Sequence, residues 1–197
     1  MTDTIKEAYD FAVRAHWGQM YGSVPYIQHL EEVYTILKKN GSYSEEVLIA
    51  GLLHDVLEDT KVTFQMVFDQ FGYKVASMVY AVTDEPTKYD KKKLAKKINS
   101  EYGLKEDCSR GIDDAKKIIR TDRKRKTYPK ILSNEWAIHI KLADRIANVK
   151  HSVTAKDSKM IDMYRNEHQE FTRKLKIGAV ANCLWKDLEY CITENLA

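Results

Sequence analysis

The sequence predicts an all-α fold, and three observations carry the prediction. Glycine and proline are scarce, 8 and 3 among 197 residues, so long elements are seldom interrupted. Alternating apolar and polar runs of the kind that make half-buried strands are hard to find. Apolar residues instead recur three and four apart along most of the chain, the spacing of helices with one face in a core.

Thr2 to Trp17 reads as a first helix, with Ile5, Ala8, Tyr9, Ala12, Val13 and His16 on its inner side and Asp3 or Thr4 as cap. Gly18, Gly22, Ser23 and Pro25 then break the periodicity and make a loop. A second helix runs from Leu30 to Lys39, with His29 at its entrance and Asn40 and Gly41 at its end. Ser44, followed by Glu46 and Val47, opens a central helix that continues through Leu48–Thr60. A short helix from Val62 to Phe71, capped at Thr63, turns at Gly72 into a further one from Val75 to Thr83. Asn134 to Val153 forms a strong helix whose buried side is Ile138, Leu142, Ala143, Ile146 and Val149. Its polar stripe is Lys141, Asp144, Asn148 and His151. Met160–Leu175 and Ile177–Leu196 close the chain as an antiparallel pair, with Leu184 and Leu188 serving a core or a dimer surface.

Residues 84–126 have another character. Apolar residues thin out, and Lys91, Lys92, Lys93, Lys96, Lys97, Lys116, Lys117, Arg120, Arg123, Lys124, Arg125 and Lys126 crowd in. The stretch reads as a mobile surface excursion of one or two charged helices. It is expected to bury too little to stand as a second domain, which leaves residues 1–197 as a single domain.

Composition bounds the function. A hydrophobic share of 44% and a charged share of 31% belong to a soluble globular chain, expected in the cytoplasm. Cys108, Cys183 and Cys191 are widely spaced and form no CxxC pair, which excludes a zinc ribbon or a disulfide framework. No apolar run approaches the roughly 20 residues of a membrane span, and the acidic, polar start is unlike a signal peptide. A net charge of +3 is too mild to announce nucleic acid, and the basic run at 120–126 has no aromatic residues interleaved.

The chemistry gathers in LIAGLLHDVLEDT. On a helix at about 100° per residue, Ile49, Leu52, Leu53, Val56 and Leu57 form one apolar stripe. His54, Asp55, Glu58 and Asp59 fill the opposite arc. Acids set side by side repel unless a cation sits among them, and a bound metal ion answers that need. With His29 from a helix start and Asp144 from the late helix, His54 and Asp55 would supply two nitrogens and two oxygens. That set suits manganese, iron, cobalt or zinc better than calcium or magnesium, and it leaves room for water. His16 and His139 read as structural, and His151 as a neighbour of the site.

Three separated motifs then carry a resemblance: a loop ending PYIQH, the central LLHDVLEDT, and the downstream IKLADRIANV. With the flanking AHWGQ, TFQMVFDQFG and VYAVTDEP, they resemble the metal-dependent HD phosphohydrolases. More narrowly, they resemble the hydrolase domain of RelA/SpoT homologues, including stand-alone small alarmone hydrolases. The resemblance implies an HD-domain helical bundle with His29, His54, Asp55 and Asp144 as ligands, manganese as the usual metal, and Glu58 and Asp59 activating the attacking water. It also implies Asn148 on ribose or phosphate, and Lys124 and Arg125 on distal phosphates; at 197 residues the chain is expected to have no room for a synthetase domain. By position, Tyr164 and Arg165 would reach a substrate phosphate. The implied reaction is removal of the 3′-pyrophosphate from ppGpp or pppGpp, giving GDP or GTP and pyrophosphate, with a homo-oligomer as a further expectation.

Two departures keep other substrates open. Where the family usually shows Gln-x-Arg-Lys-Ser-Gly before Pro-Tyr, this chain reads Gln19-Met20-Tyr21-Gly22-Ser23-Val24-Pro25, without a cation. Tyr21 would then stack on a base in place of the basic pair. Ala147 stands where a larger residue is common, which makes the pocket near Asn148 roomier. The alternatives are a dNTP, a nucleoside monophosphate or NADPH on the same chemistry, or a non-catalytic nucleotide sensor.

Overall fold

A computed structural model describes residues 2–193, which divide between two compact units: Met1–Thr83 with Ile131–Ala197, and Asp84–Lys130. The first begins with α1 (Asp3–Ala15). Its cap is Thr2, whose hydroxyl accepts from the Ile5 amide, and Phe11 joins Ile5, Ala8 and Ala12 in the core. The expected loop after it contains a hairpin, β1 (Met20–Tyr21) and β2 (Val24–Pro25), closed through Gly22 at φ 61°. Strands of two residues are too short for alternation to reveal. The Gly-Ser pair between them was the available signal, because a tight hairpin turn needs positive φ.

Helix α2 (Ile27–Asn40) packs on α3 (Glu45–Leu52), and α1 packs on α3 in turn. Gly51 permits the first contact, since a Cβ there would stand 2.6 Å from Leu37 Cδ1. The central helix is not continuous. It stops at Leu53 (φ −104°, ψ 4°), turns through His54 and Asp55, and resumes as the four-residue α4 (Val56–Asp59). The apolar stripe survives the break, with Ile49, Leu52, Leu53 and Val56 all buried.

Helix α5 (Phe64–Val82) is capped by Thr63 and kinked at Gly72, where φ 83° and ψ 171° leave the helical region. Helix α8 (Ala137–Thr154) lies at the centre of the unit, buried on most of its circumference, Asp144, Arg145 and Ser152 included. It packs against α2, α3 and α5, and against α9 (Ser158–Leu175) and α10 (Asn182–Thr193). Leu184 and Leu188 of α10 are fully buried, so they belong to this core and offer no dimer surface. Residues 194–196 of the expected last helix lie outside the described residues.

The second unit holds α6 (Lys91–Glu101), capped by Asp90, and most of α7 (Ser109–Leu132). Expected to bury little, it carries a small core of Ala95, Ile98 and Ala115, with Leu94 packed against it. Asn99 is fully buried and donates to the carbonyls of Glu106 (3.1 Å) and Cys108 (2.9 Å), fastening the connecting loop. Gly111 lets the helices touch, since a Cβ there would meet the Asn99 side chain and stand 2.6 Å from the Ala95 carbonyl.

Candidate metal centre

Three elements of the first unit bring their polar side chains to one point. His29 comes from the first turn of α2, His54 and Asp55 from the turn between α3 and α4, and Asp144 from the middle of α8. The broken helix explains how His54 and Asp55 both arrive. On a straight helix consecutive side chains diverge by about 100°. In the turn, the His54 ring folds back, Nδ1 donating to the Gly51 carbonyl at 2.9 Å.

That bond fixes the tautomer and aims Nε2 into the cluster. Nε2 of His54 stands 3.0 Å from Asp55 Oδ2 and 3.7 Å from Asp144 Oδ1. His29 Nε2 stands 3.4 Å from Asp144 Oδ1 and 3.7 Å from Asp55 Oδ2. Donors of His29, His54 and Asp144 all lie within 4.8 Å of one another, and all three residues are buried.

The donor set can be tested against a metal. Two ligand atoms each about 2.1 Å from one ion stand roughly 3.0–3.4 Å apart at coordination angles of about 90–109°. Two of the observed separations, 3.0 and 3.4 Å, fall in that range, and the other two, at 3.7 Å, lie 0.3 Å beyond it. His54 Nε2 is buried and faces the Asp55 and Asp144 carboxylates, and once its proton is displaced it offers its lone pair to a cation at that place. The residues therefore fit a divalent metal ion.

The surroundings hold the carboxylates. Asp144 Oδ2 pairs with the Lys141 ammonium at 3.0 Å, and Oδ1 accepts from the Asn148 amide. Tyr26 donates to Asp55 Oδ2 at 2.6 Å, and Tyr21 to Asn148 Oδ1 at 2.5 Å. Burial alone would push the His54 imidazole down, but the Asp55 and Asp144 carboxylates override it and carry it up to about 10. For Asp55 burial opposes ionisation, and the His54 cation prevails, holding the acid down at about 2. Asp144 lies well below the usual carboxylate range, because Lys141 and the two imidazoles outweigh its burial. Tyr26 is pushed up by burial and by Asp55, so its hydroxyl keeps its proton and donates.

A family model of the HD domain matches residues 8–171. The chain belongs to the HD domain family. Among curated relatives of this HD domain, the probable GTP diphosphokinase RSH2, chloroplastic, of Arabidopsis thaliana is 32% identical over 193 residues. That match covers 93% of this chain and 23% of the plant protein. The guanosine-3′,5′-bis(diphosphate) 3′-pyrophosphohydrolase MESH1 of Drosophila melanogaster is 40% identical over 85 residues, 43% of this chain and 46% of the fly protein. The chain thus spans under half the length of either relative. A solved metazoan orthologue of SpoT, described as hydrolysing ppGpp and playing a role in starvation responses, shares the fold with a TM-score of 0.69. It is 24% identical, over 97% of this chain and 94% of that one.

The remaining predicted residues divide. Glu58 and Asp59 are exposed on α4 of the HD domain, one turn beyond Asp55, and Gln19 donates to Asp59 Oδ2 at 3.2 Å. Tyr21 is held against His29 (ring centroids 4.7 Å) and His151 (4.1 Å), so it forms a wall instead of projecting from the loop. Tyr164 is buried on α9 with the Arg145 guanidinium 4.3 Å over its ring, while Arg165 is exposed and pairs with Asp162 at 3.8 Å. Lys124 and Arg125 lie on α7 within the other unit, where Arg125 faces Asp122 at 3.5 Å; their assignment rests on the sequence resemblance alone. His16 and His139, both expected to be structural, are bonded to Gln19 and to Tyr43.

A cavity of about 340 Å³ adjoins the cluster and shares Tyr21 and His29 with it. Gln28, Glu32, Lys150 and His151 give it polar walls, and Ala147 lines it as a small side chain. Sequence reasoning left Tyr26, Gln28, Glu32 and Lys150 unassigned. Tyr26 was within reach, because it precedes His29 by three positions and shares its helical face.

Proposed function

We propose that this HD domain hydrolyses the 3′-pyrophosphate of guanosine alarmones, converting ppGpp and pppGpp to GDP and GTP plus pyrophosphate. The observation that carries the reading is the convergence of His29, His54, Asp55 and Asp144 beside a polar, nucleoside-sized cavity. The name of the fly relative, a 3′-pyrophosphohydrolase of guanosine bis(diphosphate), supports it. Manganese is the proposed metal, since two imidazoles with two carboxylates favour a transition ion over calcium or magnesium. When bound, a divalent ion supplies a Lewis acid for a phosphoryl oxygen and acidifies the attacking water.

The chain's own residues supply the rest. Glu58 and Asp59 act together on the water that attacks the phosphorus bonded to O3′, one orienting it and the other accepting its proton. The bond between that phosphorus and O3′ breaks, O3′ takes a proton, and pyrophosphate leaves. Asn148 holds Asp144 on one side and Tyr21 on the other, within reach of the ribose. Glu32 and Lys150, paired at 3.4 Å, present an acceptor and a donor to the base edge in the cavity.

A second reading, hydrolysis of another nucleotide such as a dNTP, a nucleoside monophosphate or NADPH, is favoured by the hairpin. It offers the Tyr21 ring and hydroxyl where the family has two cations, and Ala147 widens the cavity. The test is product analysis with purified protein, Mn²⁺ and a panel of ppGpp, pppGpp, NADPH and dNTPs. GDP and pyrophosphate from ppGpp support the first reading. Turnover of another nucleotide alone replaces it with the second.

A further inference from the structure

Gln19 is bound four ways. Its amide N–H donates to the His16 carbonyl at 2.9 Å, and its own carbonyl accepts from Tyr26 N–H at 3.1 Å. Its side chain spans from His16 Nδ1 (2.7 Å, on Oε1) to Asp59 Oδ2 (3.2 Å, from Nε2). Those two side-chain contacts determine each other. An ionised carboxylate only accepts, so the NH₂ of Gln19 must face Asp59 and its Oε1 must face His16. Oε1 in turn only accepts, so His16 must carry its proton on Nδ1. The carboxylate therefore sets the orientation of the amide, and the buried imidazole anchors the other end of the side chain.

His16 is itself fixed. It is 4% exposed at the end of α1 and stacks flat on Tyr26, with centroids 4.7 Å apart and planes within 12°. Tyr26 holds Asp55. One stacked pair thus backs a carboxylate of the metal cluster and, through Gln19, a carboxylate outside it. Asp59 needs such support, because it is exposed on a helix of four residues that has no side-chain cap.

We propose that Gln19, anchored by His16, is the positioning residue that holds Asp59 in the rotamer that takes a proton from the attacking water. The inference rests on the reading of Asp59 under Proposed function. A neutral amide suits the task, since it orients the carboxylate through a hydrogen bond to Oδ2 and brings no charge of its own. Oδ1 is left to receive the proton.

The experiment is a double-mutant cycle with a spectroscopic arm. Gln19→Ala lowers kcat about 10-fold while KM stays within about twofold, and in an Asp59→Ala background the same substitution changes kcat less than about twofold. His16→Leu repeats the loss, and His16→Asn, whose amide nitrogen stands near the place of Nδ1, recovers most of it. Equal losses in both backgrounds overturn the proposal, because a merely structural role costs the same with or without Asp59. The second arm needs no substrate: the side-chain amide NMR signals of Gln19 shift on Asp59→Ala, with His16 protonated at Nδ1. Unmoved amide signals also overturn the proposal. Absence of turnover on every nucleotide, with the amide signals shifted, instead retires the reaction and keeps the brace.

Discussion

At neutral pH the metal-free cluster holds a proton that an incoming cation must displace, and the structure says where. One proton of His54 is committed through Nδ1 to the Gly51 carbonyl. A second, on Nε2, faces Asp55 at 3.0 Å and Asp144 at 3.7 Å, which carry the imidazole from 6.5 to about 10 against its burial. A raised imidazole stabilises the metal-free fold fully below its unfolded value, and that stabilisation is lost as pH rises through about 10. The lowered Asp55 works in the other direction: its contribution is present above 3.8 and lost as pH falls through about 2. Between these limits Nε2 must give up its proton to become a ligand, so binding gains about tenfold per pH unit, or roughly a hundredfold over two units. Titration calorimetry of Mn²⁺ at pH about 7.5, in two buffers of different ionisation heat, counts the protons. About one proton released per ion is predicted. No proton released, with affinity flat above pH about 7, would refute the reasoning by showing the imidazole already neutral.

Glu58→Gln should leave nucleotide binding intact while turnover falls by on the order of 10²-fold or more. Unchanged turnover in a single-turnover assay would remove Glu58 from the chemistry, and binding without turnover in the wild type would instead mark a nucleotide sensor. Gly111→Ala should destabilise the second unit by about 1–3 kcal/mol in urea denaturation, because its Cβ meets the Asn99 side chain and the Ala95 carbonyl. Equal stability would contradict the close approach of α6 and α7.

Helical periodicity was enough to find most of the long elements, including the Gly72 kink and the buried side of α8, because each shows its apolar stripe within a few turns. Periodicity also misled once. The apolar stripe through Leu53 and Val56 continues across the break at His54, so nothing in the spacing marks the turn that lets His54 and Asp55 share one target. The four proposed ligands were legible as motifs, yet their supports were not. Lys141 was read only as part of a stripe, and Tyr26 and Gln19 lie in a loop whose bonds to Asp55 and Asp59 depend on tertiary approach. The packing within the second unit was not legible for a related reason: its core is three small or medium residues, stabilised by a buried amide that composition does not reveal.

His29, His54, Asp55 and Asp144 are proposed to form one divalent-metal site. The most direct measurement is the Mn²⁺ content of the protein after dialysis, beside that of Asp144→Ala, with circular dichroism to verify that both are folded. The account predicts one ion per chain in the wild type and its loss in folded Asp144→Ala. Equal metal content in the two proteins, or none in the wild type, would contradict it.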